Sequence, residues 1–119
     1  MSILPHFELT SETRDGHTHV IHVKGEIHVS TAPEFAARLD EAISQDAPAV
    51  VLDLTEVEFI DSTGLTVLLN GLRSVTLRGG RLALAVSNPT VLRLFEITRL
   101  DSTFDIEPTL NDALKRVRA

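Results

Sequence analysis

Cysteine, tryptophan and tyrosine are all missing from the chain. Without cysteine there is no disulfide framework, thiolate nucleophile, iron–sulfur cluster or Cys-based zinc site, and a reducing compartment is the natural setting. Without tryptophan or tyrosine there is no indole or phenol platform on which a base or sugar could stack. Long apolar runs are missing as well. Ala49 to Leu52 is typical, far below the ~18 residues of a membrane span. The opening MSILPHFELTSE has neither a basic start nor an apolar stretch, so no export signal and a cytoplasmic location are expected. Basic charge is scarce: 11 Lys and Arg face 17 Asp and Glu, for a net charge of −6. With no local basic cluster to reverse it, that balance repels phosphate backbones and argues against a nucleic-acid partner.

What remains is the balance of a globular protein. The 119 residues are 43% hydrophobic and 24% charged, which implies one domain over 1–119. A chain of this length buries roughly two-thirds of its unfolded surface, so a core forms without staples.

Strand and helix signals alternate densely, with no linker, repeat or low-complexity stretch. Phe7–Ser11 and Thr18–Val23 read as two strands of a hairpin around Arg14-Asp15-Gly16, because Gly supplies the positive φ of a tight reversal. Gly25 breaks the second strand, which Ile27–Val29 continue. Ser30-Thr31-Ala32-Pro33-Glu34 then starts a helix. Thr31 and Glu34 have capping-box spacing, and Pro33 suits a first turn. Phe35, Leu39, Ala42 and Ile43 give it a helical stripe, and it stops before Pro48.

Ala49–Leu54 is a nearly continuous apolar, β-branched run and reads as a central strand covered on both faces. Leu65, Leu68, Leu69, Leu72 and Val75 trace a second helix, which Gly79-Gly80 ends. Arg81–Val86 is the next strand. Asn88-Pro89 opens a third helix with Val91, Leu92 and Phe95. Phe104–Ile106 is a brief strand, and Thr109–Val117 a last amphipathic helix. The order implies an α/β fold: a mixed sheet with an opening antiparallel hairpin, then parallel strands, flanked by about four helices.

The chemistry concentrates in Val57-Glu58-Phe59-Ile60-Asp61-Ser62-Thr63-Gly64-Leu65, between a strong strand and a strong helix. In α/β sheets such junctions aim helix N-terminal amides outward. Asp61 or Ser62 is the N-cap, and Gly64 permits close backbone approach. The Ser62 hydroxyl has three possible uses: capping, nucleophilic attack, or accepting a phosphoryl group. A nucleophile needs a general base and an oxyanion hole, and the G-x-S-x-G elbow is absent. A phosphate on Ser62 would sit at the positive end of a helix, yet add roughly −1.5 to −2 charges beside Asp61. Docking would change without unfolding.

Four patches resemble the anti-sigma factor antagonists, stand-alone STAS domains. Gly25-Glu26-Ile27 with Ser30-Thr31-Ala32-Pro33 is similar to the family's entry to its first helix. Val50–Leu54 resembles its central strand, and Phe59-Ile60-Asp61-Ser62-Thr63-Gly64-Leu65 its phosphorylation motif. Asn88-Pro89 through Leu94–Thr98 and Leu100-Asp101 resembles its third helix. The resemblance spans about residues 7–117. It implies the STAS fold and a partner-switching role: binding an anti-sigma factor that is a GHKL-type serine kinase, release on phosphorylation, and restoration by a PP2C-type phosphatase. Carried over, Ser62 is the acceptor, Asp61, Thr63 and Gly64 flank it, and Glu26, His28, Ser30 and Thr31 belong to the adjoining contact loop. The protein would then be substrate and binding module, neither enzyme nor cofactor carrier, and its oligomeric state is open. The alternatives are a STAS scaffold in a larger sensory or lipid-transport assembly, with Ser62 as a cap, and a small hydrolase.

Two positions depart from the family pattern. His28 stands where Asp is usual, and a neutral ring cannot replace a carboxylate that orients a nucleotide or pairs with a basic partner group. Arg99 stands where Gly is common, and Gly adopts positive φ cheaply; this turn is expected to differ. Elsewhere, His17 and His19 share a strand face while His22 points away, which leaves a poor zinc site. Gly79-Gly80 lacks a phosphate-loop pattern. Asp53 reads as an anchoring carboxylate. Glu56, Glu58 and Asp61 surround the motif loop as a solvated or acidic docking face.

Overall fold

A computed structural model describes residues 6–44 and 48–118. One sheet holds five strands in sequence order: β1 (Phe7–Arg14), β2 (Thr18–Ile27), β3 (Ala49–Ile60), β4 (Arg81–Ala85) and β5 (Asp105–Glu107). β1 runs antiparallel to β2, and every later pair is parallel. The crossovers are α1 (Ala32–Ile43), α2 (Ser62–Leu77) and α3 (Pro89–Ile97). A short 3-10 turn at Leu100–Ser102 precedes β5, and α4 (Leu110–Arg118) follows it. The mixed sheet and four helices agree with the sequence reading.

The hairpin turn places Asp15 at φ 54 and Gly16 at φ 79. Two successive positive φ values match the twist of the flanking strands. The His17 N–H closes the turn on the Arg14 carbonyl at 3.2 Å.

Alternation along the strands divides the interior in two. Ile21, Val23, Val50, Leu52, Leu54, Leu82 and Leu84 pack beneath α1, α2 and α3 in the main core. Each fully buried leucine there contributes about 1.5–3 kcal/mol relative to exposure. Val20, Val51, Ala83 and Ala85 face the other way, where α4 covers them with Ala113, Leu114 and Val117. The α4 start is capped by Thr109, whose Oγ1 accepts from the Asp112 N–H at 3.1 Å. α4 shields only part of its face; His22, Lys24, Asp53 and Glu56 line the open remainder.

Several elements depart from the sequence reading. β3 was expected to end at Leu54 but runs to Ile60. Its register against β2 passes from His22↔Asp53 to Lys24↔Glu56, and from Gly25↔Val57 to Glu26↔Phe59. Each step gives β3 one extra residue, a β-bulge. Inward positions therefore fall every third residue, at Leu54, Val57 and Ile60, where unbroken strand alternation has period two. β2 likewise continues through Gly25, at φ 101, where a Cβ would strike the His6 carbonyl. That glycine marks close backbone approach within a strand, not its end. Val29 does not extend β2. The His28 carbonyl accepts from the N–H groups of Thr31 at 3.0 Å and Ala32 at 2.7 Å, so the chain turns there.

α2 ends in a Schellman arrangement. Gly79, at φ 73, donates to the Thr76 carbonyl and Gly80 to that of Val75. α3 ends with Arg99 at φ 63 and ψ 20, its N–H donating to the Glu96 carbonyl. The turn was expected to differ for want of glycine; instead Arg99 adopts the left-handed conformation itself. α1 ends at Ile43, before Pro48, as expected.

Candidate functional site

The end of β3 delivers the chain to α2 at one corner of the sheet. Ile60 pairs with Ile27, and the Asp61 N–H still donates to the Ile27 carbonyl at 3.1 Å. Asp61 has extended dihedrals, φ −105 and ψ −174, and its side chain accepts from the Gly64 N–H at 3.0 Å. Asp61 is thus the N-cap, and Ser62 is the first helical residue. The Ser62 carbonyl accepts from the Thr66 hydroxyl at 2.9 Å. Its own side chain is exposed, and its hydroxyl makes no hydrogen bond among the described residues. Because a neighbouring carboxylate satisfies the helix end, that hydroxyl has no structural duty.

Gly64 gives this corner its rigidity. A Cβ there would lie 2.7 Å from both Ile27 Cγ2 and Ile60 Cγ1. The first turn of α2 is seated directly on the ends of β2 and β3, so the surface that Gly64 approaches is the chain's own core.

The end of β2 from Glu26 and the loop that follows it to Thr31 lie alongside. Thr31 precedes α1 but makes no side-chain cap, so the expected capping box with Glu34 does not form. Its hydroxyl is committed to the preceding loop instead, donating to the Glu26 carbonyl at 2.9 Å and accepting the His28 N–H at 2.9 Å. Pro33, in the first turn, offers no N–H in any case. His28 Nδ1 accepts from the Ser30 N–H at 3.2 Å and pairs with the Ser30 hydroxyl at 2.9 Å. This is what an Asp carboxylate does in an Asx-turn. The imidazole therefore holds this turn as an Asp carboxylate would, but brings no negative charge to it.

The structure brings the expected site residues together at one end of the sheet. Ser62 and Ser30 are exposed; Asp61, Thr63, Glu26, His28 and Thr31 are half-buried; Gly64 is buried. Two apolar residues join them, Val29 from within the expected Glu26–Thr31 contact loop and Phe59 from the start of the motif, neither given a role of its own by the sequence: Val29 is 70% exposed and Phe59 47%. Phe59 borders a shallow apolar groove with Ile60, Thr90, Val91 and Leu94. Phe59 lies beyond Leu54, where the sequence pattern ends the strand, so its exposure follows only from the extension of β3 to Ile60. Glu56 and Glu58 lie within β3, not in a motif loop, and Glu56 pairs with Lys24 at 3.6 Å on the open sheet face. Among the described residues no cluster of three His, Asp or Glu could hold a metal, and no helix is long and apolar enough to cross a membrane.

The model of the STAS domain matches residues 8–113. The chain belongs to the STAS domain family. It is 37% identical over 87 residues to the anti-sigma-B factor antagonist of Listeria monocytogenes, covering 73% of this chain and 76% of that protein. Among solved structures it is similar to an anti-sigma factor antagonist from Mycobacterium paratuberculosis, with TM-score 0.86 and 35% identity over 96% of each chain. It is also similar to SpoIIAA in two states. The unphosphorylated form gives TM-score 0.78 at 27% identity, covering 93% of this chain and 95% of that one. The phosphorylated Bacillus form gives 0.71 at 26%, covering 93% and 100%. The STAS fold expected from the sequence is thus shared with anti-sigma factor antagonists.

Proposed function

We propose that this STAS domain is an anti-sigma factor antagonist that binds a GHKL-type anti-sigma serine kinase through the corner around Ser62, and that phosphorylation of Ser62 ends the complex. A PP2C-type phosphatase reverses the modification, and the domain itself carries out no catalysis. The observation that carries the reading is the division of labour at the start of α2: Asp61 caps the helix and the Ser62 hydroxyl stays exposed. A phosphate on that oxygen meets the positive end of the helix, so the fold tolerates it. The same phosphate adds roughly −1.5 to −2 charges and three oxygens beside Asp61, changing both the shape and the field of the corner for any group docked within the ~8 Å screening length. That SpoIIAA is known both phosphorylated and unphosphorylated supports a modification of this kind.

Contact would centre on Ser62 and Thr63, with Ser30, His28, Glu26 and Thr31 at the side. The exposed Val29 and Phe59 supply the apolar area that a mainly polar corner lacks. The test is a pull-down with wild-type, Ser62→Ala and Ser62→Asp protein, followed by incubation of the captured kinase with Mg-ATP. Wild type and Ser62→Ala should capture the kinase, and Ser62→Asp should not. Intact mass should show one added phosphate on wild type and none on Ser62→Ala. Capture indifferent to Ser62→Asp would instead favour a scaffold role.

A further inference from the structure

On the open half of the α4 face, His22 of β2 sits between two carboxylates from the strands on either side. Its Nδ1 lies 2.7 Å from Asp53 Oδ2 on β3, and its Nε2 lies 2.6 Å from Glu12 Oε2 on β1. A neutral imidazole has one N–H and one lone pair. It can donate to only one of these ionised carboxylates and must turn a lone pair on the other. Only the imidazolium satisfies both contacts. We propose that His22 is a proton-operated clamp that ties the edge strand β1 to the centre of the sheet when protonated and lets Glu12 go when neutral.

Burial decides which contact survives. The Asp53 side chain is 15% exposed, and its other oxygen accepts from the Thr55 N–H at 3.1 Å and the Thr55 hydroxyl at 2.7 Å, at the first bulge of β3. The Glu12 side chain is 40% exposed. Losing a hydrogen bond costs most where water cannot replace it, so a single N–H stays with Asp53 and Glu12 is released to solvent. β1 then keeps its ladder to β2 and the Arg38–Ser11 contact at 3.0 Å from α1. The other charged groups near the ring are Arg14, held by Glu12 at 2.8 Å, Lys24, held by Glu56 at 3.6 Å, and Glu8 on the same face of β1. Arg118 of α4 is occupied by Asp15 at 2.6 Å.

The proton affinities agree in direction. Burial of the ring works against its charge, but the hydrogen bonds and charges of Glu12 and Asp53 outweigh it and raise His22 above 6.5. The hydrogen bonds from Arg14 and then His22 lower Glu12 from 4.5 to about 2. The Glu12 contribution is present above 4.5 and lost as pH falls toward about 2. That of His22 is complete below 6.5 and lost as pH rises through its raised value. The clamp is fully closed between those limits and opens on the alkaline side.

The test is an NMR titration of the His22 ring, paired with amide hydrogen-exchange protection factors of β1 from pH 5 to pH 9. In the wild type His22 should titrate above 6.5, and protection of residues 9–13 should fall through the same interval. Glu12→Gln, a change on an exposed strand that keeps the fold, should lower the His22 titration. His22→Gln should flatten the pH dependence of β1 protection. A His22 that titrates at or below 6.5, a titration unmoved by Glu12→Gln, or the same pH profile of protection in wild type and His22→Gln would each overturn the clamp.

Discussion

If Asp61 caps α2 and Ser62 does not, removing the two side chains must have unequal costs. Asp61→Ala deletes the acceptor of the Gly64 N–H and leaves that donor half-shielded in the first turn. Loss of an N-cap costs about 0.5–2 kcal/mol, and the carboxylate's interaction with the helix end adds about 0.3–1 kcal/mol. A total near 2 kcal/mol is expected, or a fall in Tm of roughly 6–10 °C for a chain between the usual size classes. Asp61→Asn keeps the acceptor and removes only the charge, so its cost should stay within about 1 kcal/mol. Ser62→Ala removes an exposed hydroxyl that holds nothing and adds a better helix former; its effect should lie within ±0.5 kcal/mol. Urea unfolding at pH 7 with a common m-value measures all three. Equal losses for Asp61→Ala and Ser62→Ala would make the hydroxyl part of the cap, and the case for an unoccupied phosphoacceptor would go with it.

Arg99→Gly should stabilise the domain by roughly 0.5–1 kcal/mol, because Arg99 holds φ 63 at the α3 end; a lower urea midpoint would count against the strain. His28→Asp should leave stability within about 0.5 kcal/mol, since a carboxylate can accept the same Ser30 N–H. Because it also adds a carboxylate to the loop that follows Ile27, the strand partner of Ile60, the rate of kinase phosphorylation should rise, and an unchanged rate would show that the imidazole costs the site nothing. Ser62→Asp should leave Tm within about 2 °C of wild type, with helix-end attraction offsetting repulsion by Asp61. Loss of kinase capture by that variant then reads as a change of surface, whereas a large fall in Tm would make it mere unfolding.

The legible parts of the fold were those where a single period holds. Leu65, Leu68, Leu72 and Val75 announced α2, and Val50 to Leu54 announced the buried centre of β3. The Asp15-Gly16 turn was equally plain, since few residue pairs accept two positive φ values. What escaped was decided by particular contacts, near or far in sequence, that no period encodes. The bulges of β3 depend on pairing with β2, so the strand's extension to Ile60 could not be seen in its own residues. Thr31 has the composition of a capping box, but the Glu26 carbonyl and the His28 N–H claimed its hydroxyl first. Arg99 takes a conformation that sequence statistics assign to glycine, with its N–H donating to the Glu96 carbonyl and its own carbonyl accepting from the Ser102 hydroxyl. At the site, the motif around Ser62 was readable, but the choice of Asp61 over Ser62 as cap needed coordinates. So did the exposure of Val29 and Phe59, which both follow from how β2 and β3 end.

The same packing decides how a phosphate on Ser62 could act. One route is allosteric: the charge shifts α2 and the shift travels to a distant partner surface. The other is local: the charge alters the corner where it sits. α2 has little freedom to shift. At its start Gly64 is wedged against Ile27 and Ile60, and at its middle a Cβ on Gly71 would lie 2.6 Å from Leu39 Cδ2 of α1. At its far end the Schellman turn leads straight into β4, where the Arg81 N–H donates to the Pro48 carbonyl at 2.8 Å. Sliding the helix would force Leu65, Leu68 and Val75 to repack in a core where interlocked side chains resist gradual deformation. Adding charge at an exposed first-turn oxygen requires no such repacking. The local route therefore has the lower cost. It predicts that amide shifts caused by phosphorylation fade beyond the first turn of α2 and the facing loop at His28–Thr31, and a shift pattern that reached Leu72 or Val75 with comparable size would establish the allosteric one.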